Sequence, residues 1–243
     1  MFTEELNLTE NAIKDFSSLD RNKRIKRIHA ENRFNKNHSI ILSSFEDVKT
    51  LSTRLGKNID AWVRQERKIQ QMPGFKTTQS GRYPEEIQIE MKISDGLGGE
   101  LKIDFKALYL FSKILLDQYV KFLHFINPAD GIRSGTVEVF LHSLKNTCHS
   151  FYKDLAASMD NISANILNKL IFYRDKKIEH SQLLNEDVWF MNDMRGGIAI
   201  SHINRDGGNN NVATIQPKEL LNLLEKFFTT TSGYFIDNED KIS

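Results

Sequence analysis

Ile87-Gln88-Ile89-Glu90-Met91-Lys92-Ile93, followed by Ser94-Asp95-Gly96-Leu97-Gly98-Gly99 and then Leu101, Ile103 and Phe105, decides what kind of fold this 243-residue chain adopts. Apolar and polar residues alternate on both sides of a glycine-rich turn, which is the period of a strand with one buried face. The reading is a β-hairpin over residues 85–105. The chain on either side has another period. From about Ser44 to Gln71 the apolar residues Phe45, Val48, Leu51, Leu55, Ile59, Trp62/Val63 and Ile69 recur at steps of three and four, one face of a long helix. The region before Asn37 is expected to be helical as well.

Downstream, Leu108, Phe111, Ile114/Leu115, Tyr119, Phe122 and Ile126 mark a helix that ends before Asn127-Pro128. Val137, Phe140/Leu141, Leu144, Cys148, Phe151 and Leu155 mark another. A fourth, capped by Asp160, Asn161 or Ser163, carries Ile162, Ile166/Leu167 and Leu170/Ile171 and continues through Arg174 to Ile178. A last helix begins near Pro217 and buries Leu220, Leu221, Leu224, Phe227 and Phe228. A weaker alternation runs from Val188 to Ile203 through Gly196-Gly197, then a loop and a short strand from Val212 to Ile215. Pro73, Pro84, Pro128 and Pro217 all fall at boundaries set independently by periodicity. The expected fold is mainly α: one helical bundle over residues 1–243, with β-hairpins inserted near 85–105 and 188–215.

A chain that is 40% hydrophobic can bury a substantial core. Its net charge of +1 argues against a global electrostatic grip on nucleic acid, so any such contact needs a local basic patch. The one dense basic run is Arg21, Lys23, Arg24, Lys26, Arg27, Arg33 and Lys36, more simply read as a solvated helix face. A single cysteine excludes an internal disulfide, and Cys148, on an apolar stripe, reads as a core thiol. His142 and His149 are seven apart, but no further ligands group with them, so no metal site is expected. The glycine clusters match neither a phosphate-binding loop nor a dinucleotide fingerprint. With no apolar signal core, and with Lys113, Asp117, Gln118 and Lys121 interrupting the most hydrophobic helix, the expectation is a cytoplasmic protein without a membrane span.

Arg174 breaks the apolar face of the fourth helix at a position where the pattern asks for an apolar residue. Burying a guanidinium without a partner is expensive, so it should meet a carboxylate or face a wet cleft. His180 follows six positions later in the same helical run. A permanent cation that can hold a phosphate, near an imidazole that titrates close to neutrality, is a minimal kit for RNA cleavage without a metal. Spacing alone is not diagnostic, because Arg24/His29, Arg33/His38 and Arg195/His202 have similar separations. Context separates them: only Arg174 sits inside a long periodic apolar helix.

The run Arg174-Asp175-Lys176-Lys177-Ile178-Glu179-His180 resembles the ribonuclease motif of the higher eukaryotes and prokaryotes nucleotide-binding (HEPN) domains, an arginine, a polar residue and a histidine a few positions on. The resemblance rests on this short motif and its helical setting. It implies a HEPN-like helical bundle that forms a homodimer with the two motifs facing a shared cleft. It further implies a metal-independent endoribonuclease needing no cofactor, a toxin or anti-phage effector whose partners are RNA and an antitoxin protein. Arg174, Asp175 and His180 would be catalytic, and Lys176 and Lys177 would add attraction for RNA phosphates. On a regular helix Arg174 and His180 are separated by about 9 Å of rise and roughly 120° of rotation, so convergence needs a wrapping cleft or two protomers. The competing readings are a catalytically silent HEPN-type module that binds RNA or protein, and an unrelated helical structural protein.

Overall fold

A computed structural model describes residues 2–18, 28–75, 83–171, 186–192, 198–204 and 217–242. The described chain is mainly helical. Helix α1 spans Thr3–Asp15, α2 Ile28–Gln71, α3 Glu85–Ile126, α4 Val137–Lys145, α5 Ser150–Asn165 and α6 Pro217–Asp237. Strands β1 (Glu186–Asn192) and β2 (Ile198–Asn204) pair antiparallel, with Trp189 opposite Ser201 and Phe190 opposite Ile200. The loop 205–211 and the short strand expected at 212–215 lie outside the described residues.

The hairpin expected over 85–105 is overturned, since those residues open the 42-residue helix α3. Four apolar residues at alternate positions also contain the four-residue steps of a helix, and packing chooses between the two periods. Ile87 and Ser94 are buried on one side, Ile89 and Ile93 are exposed on another, and Leu101, Phe105 and Leu108 continue the buried side at helical steps. The glycines that read as a turn sit inside the helix. A Cβ added at Gly98 would lie 3.9 Å from Trp62 Nε1, an ordinary contact with α2 that a side chain could make as well. Interior glycines weaken a helix by about 1 kcal/mol each; here the contact with α2 along the helix's length offsets that.

α2, of 44 residues, and α3 pack antiparallel as a helical hairpin on the order of 60 Å long. Asp104, buried on α3, accepts from Asn58 Nδ2 at 2.9 Å and from Arg54 on α2. Farther out, Glu90 accepts from Gln65 and Lys68, each at 2.7 Å, and Ser94 donates to Glu66. At the tip the rings of Phe75 and Tyr83 stack 5.6 Å apart. α2 ends at Gln71, and Gly74, at φ +90°, takes the left-handed conformation needed at the third position of the turn Met72–Phe75, closed by Phe75 N donating to the Met72 carbonyl at 3.2 Å. α2 runs unbroken through Asn35-Lys36-Asn37, and His38 Nε2 donates to the Ile13 carbonyl at 2.9 Å, tying α2 to α1.

The other helices gather at the end of the hairpin formed by the first half of α2 and the second half of α3. α1 packs along α6, and α6 along α5. The core there is aromatic: Phe16, Tyr119, Phe122, Phe227, Phe228 and Phe235 are fully buried. Lys113, an interruption in the apolar helix, is buried against Asp117, whose other oxygen accepts from Val137 N at 2.7 Å and so holds the start of α4.

The stripe expected to run unbroken from Val137 to Leu155 is divided. α4 ends at Lys145, α5 starts at Ser150, and Cys148 lies exposed in the connector, not in the core. Thr147 Oγ1 accepts from His149 N at 3.1 Å in that connector, and the apolar face restarts at Phe151 and Tyr152. No helix begins at residues 160–163. α5 continues through them into a π-helical turn, Ile166–Ile171.

Candidate functional site

The π-helical turn is the last described part of the helix that leads toward Arg174. Ile166, Leu170 and Ile171 are buried there, as the apolar stripe required. In an α-helix a row at i, i+4, i+8 drifts about 80° around the axis. The wider turn of a π-helix works against that drift, and such turns occur often at functional sites. Asn161, Asn165 and Lys169 stand at these steps and line the same cleft.

The opposite wall is α6. Glu219, Asn222, Leu223 and Lys226, spaced as one helical face, complete a cleft of about 250 Å³. Leu223 is buried and forms its apolar part; the rest of the lining is polar, apart from Ile162. Asn165 Nδ2 donates to the Asn161 carbonyl at 2.9 Å and to Asn161 Oδ1 at 3.0 Å, which holds the two carboxamides side by side. Neither Lys169 nor Lys226 has a carboxylate within ion-pairing distance among the described residues. Two cations thus face one cleft from opposite walls. Beside it, burial pushes the Glu225 carboxyl above its usual value, Lys226 opposes that shift, and Glu5 and Glu4 reinforce it.

Arg174, Asp175, Lys176, Lys177 and His180 all lie outside the described residues, Arg174 being five positions beyond Lys169 in the chain. Of the basic run, Arg21, Lys23, Arg24, Lys26 and Arg27 also lie outside, while Arg33 and Lys36 are exposed on α2. In the pair Arg33/His38 the imidazole is committed to the Ile13 carbonyl and serves the packing of α1 on α2. His142 is exposed on α4 and His149 precedes α5, so the two do not share one helix face. Among the described residues no group of three or more His, Cys, Asp or Glu could hold a metal ion, and no described helix is long and apolar enough to cross a membrane.

No family model, curated protein or solved structure matches this chain. The site therefore rests on its own residues. Sequence reading missed Lys169, Lys226 and the carboxamides beside them. Their signal was present as a polar row, Asn161, Asn165 and Lys169, on a helix otherwise read for its apolar face, and Asn161 was considered only as a cap.

Proposed function

We propose that this chain is a metal-independent endoribonuclease of the HEPN type, acting as a homodimer and serving as a toxin or anti-phage effector restrained by an antitoxin protein. The observation that carries the reading is the cleft into which Lys169 and Lys226 face from opposite walls beside Glu219, neither lysine having a carboxylate within ion-pairing distance among the described residues, at the last described turn before Arg174 in the chain. Phosphate contacts supply most of the affinity of proteins for nucleic acid and require positive charge without base recognition.

In this mechanism the ribose 2′-hydroxyl of RNA attacks the adjacent phosphorus. The bond from O2′ to phosphorus forms, the bond from phosphorus to O5′ breaks, and a 2′,3′-cyclic phosphate and a 5′-hydroxyl result. His180 takes the proton from the 2′-hydroxyl or delivers one to O5′, a role a neutral-range imidazole fills in either direction. Arg174 neutralises the charge that grows on the phosphorane. Asp175 orients Arg174 or the histidine of the second copy. Lys176, Lys177, Lys169 and Lys226 hold flanking phosphates.

The test is cleavage of a defined RNA in chelator, with the ends of the products analysed. His180→Ala and Arg174→Ala should each lower the rate by about 10²- to 10⁴-fold and leave the helical content unchanged. Lys169→Ala with Lys226→Ala should weaken RNA binding and reduce the slope of log affinity against log salt by about one per lysine. Full activity of His180→Ala would reject the site. Salt-dependent binding without cyclic ends would make the chain an RNA-binding module.

A further inference from the structure

α3 carries a second apolar face. The row Leu101, Phe105, Leu108, Leu115 and Tyr119 is buried in the protein. At 100° per residue, Ile89, Ile93, Ile103, Leu110 and Ile114 cluster roughly 140° around the helix from that row. These five side chains are 38–65% exposed. With Gly96, Glu100 and Ala107 between them, they recur from 89 to 114 at strictly alternating steps of four and three residues. That is every core position of a coiled-coil seam, over about 37 Å. Scattered surface isoleucines need no explanation, but five exposed branched side chains kept to one side of one helix do, with exposed Gly96 and Glu100 and half-buried Ala107 standing between them.

We propose that this seam is where two copies of the chain meet, α3 lying antiparallel against α3 about a two-fold axis between residues 101 and 102. A seam with this repeat fits another helix with the same repeat, and α3 supplies it. Glu100, at the centre, sets the orientation. A parallel in-register pair would put Glu100 against Glu100 inside an apolar seam, like charges in contact. The antiparallel pair instead forms the layers Ile89 on Ile114, Ile93 on Leu110, Gly96 on Ala107 and Glu100 on Ile103, so the two Glu100 side chains are offset by three residues, about 4.5 Å along the axis, and each can turn outward to a flanking lysine. Lys106, flanking the seam, then lies beside Glu100 of the second copy. The small Gly96 and Ala107 layers let the helices approach on both sides of the axis; nothing lies within 4 Å of a Cβ placed at Gly96. With the stems of Lys92, Glu100 and Lys106 included, the pair buries on the order of 1,000 Å², the size at which specific interfaces begin.

The seam shares no residue with the motif or the cleft, so in this inference it takes the place of the motif-to-motif contact as the dimer interface, and its failure would leave the cleavage test of the ribonuclease reading untouched. It is tested on the full chain by sedimentation equilibrium up to about 100 μM. The wild type should be a dimer. Ile103→Glu, and Ile93→Glu independently, should weaken association at least about a hundredfold, because each puts an unpaired charge at the centre of a buried patch. Both should keep the thermal transition of the monomeric fold, since the positions are solvent-facing in one chain. In a Cys148→Ser background, Ile89→Cys mixed with Ile114→Cys should form a mixed disulfide under mild oxidation. Ile89→Cys alone should not, its two copies being about 37 Å apart along the axis. A monomeric wild type, or a dimer indifferent to Ile103→Glu, overturns the interface. Cross-linking of Ile89→Cys alone, without the mixed product, overturns the antiparallel arrangement.

Discussion

The buried contact between Tyr119 on α3 and Thr231 on α6 gives a test of the fold in which the two halves of one hydrogen bond have unequal worth. Tyr119 Oη lies 2.8 Å from Thr231 Oγ1, which lies 2.7 Å from the Phe227 carbonyl oxygen, and both residues are fully buried. A carbonyl only accepts, so Thr231 gives its proton to Phe227 and the phenol gives its proton to Thr231. Burial pushes the Tyr119 phenol far above its usual value, so it remains a neutral donor. Tyr119→Phe removes that donor and keeps the ring contacts with Phe16, Phe227 and Phe228; the loss should be about 1 kcal/mol. Thr231→Val removes the acceptor and strands the phenol, and should cost about 2–3 kcal/mol. The double variant leaves no orphaned donor, so it should lie close to Tyr119→Phe alone, well short of the sum. Urea unfolding followed by circular dichroism measures all four proteins, with an unchanged denaturant slope as the check that the same transition is compared. If Thr231→Val costs no more than Tyr119→Phe, or if the two losses add, the assignment of donor and acceptor is wrong.

Two further outcomes concern α1 and α3. Hydrogen bonds from Lys14 and Lys49 hold the Glu10 carboxyl below its ordinary value of 4.5. A depressed carboxyl stabilises the fold above its unfolded pKa, and that contribution fades as pH falls through the lower folded value. Glu10→Gln should therefore cost about 0.5 kcal/mol at neutral pH and flatten the loss of stability below pH 4.5; identical pH profiles would refute this. Gly99→Ala should stabilise the protein by about 0.5–1 kcal/mol, because a Cβ there meets nothing within 4 Å on a helix. A loss of helicity would restore the turn reading of that segment.

Helical periodicity was legible wherever one face of a helix is buried and the other is wet. It located α6 from Pro217, and the core positions of α2 from Phe45 to Ile69, because those elements have a single apolar stripe. It failed over residues 85–105 because α3 has two apolar faces there: Ile87 turns inward while Ile89 and Ile93 turn outward, and together they imitate the alternation of a strand. Cys148 was misplaced for a related reason. The apolar residues of α4 and α5 happen to stay in phase across a connector that is not helical, so periodicity alone could not reveal the break. The cleft at Lys169 and Lys226 pairs residues far apart in the chain, on α5's continuation and on α6, and depends on a π-helical turn that has no signature in composition.

The long α2/α3 hairpin also sets an order of assembly. Phe75 and Tyr83, stacked at the tip, are 8 residues apart; farther down, contacts join residues 25 apart, as in Gln65 to Glu90, and 28 apart, as in Ser94 to Glu66, while Asn58 and Arg54 reach Asp104 across 46 and 50 residues. Loop closure becomes dearer only slowly as a loop lengthens. Once the tip has closed, each further turn therefore adds contacts without a new long-range search, and the pair can zip toward its base. Tyr119 and Thr231, separated by 112 residues, belong to the opposite regime. Their joining requires α6 to find a preformed hairpin, so the aromatic core at its base should consolidate late, and variants there should change the unfolding rate more than the folding rate.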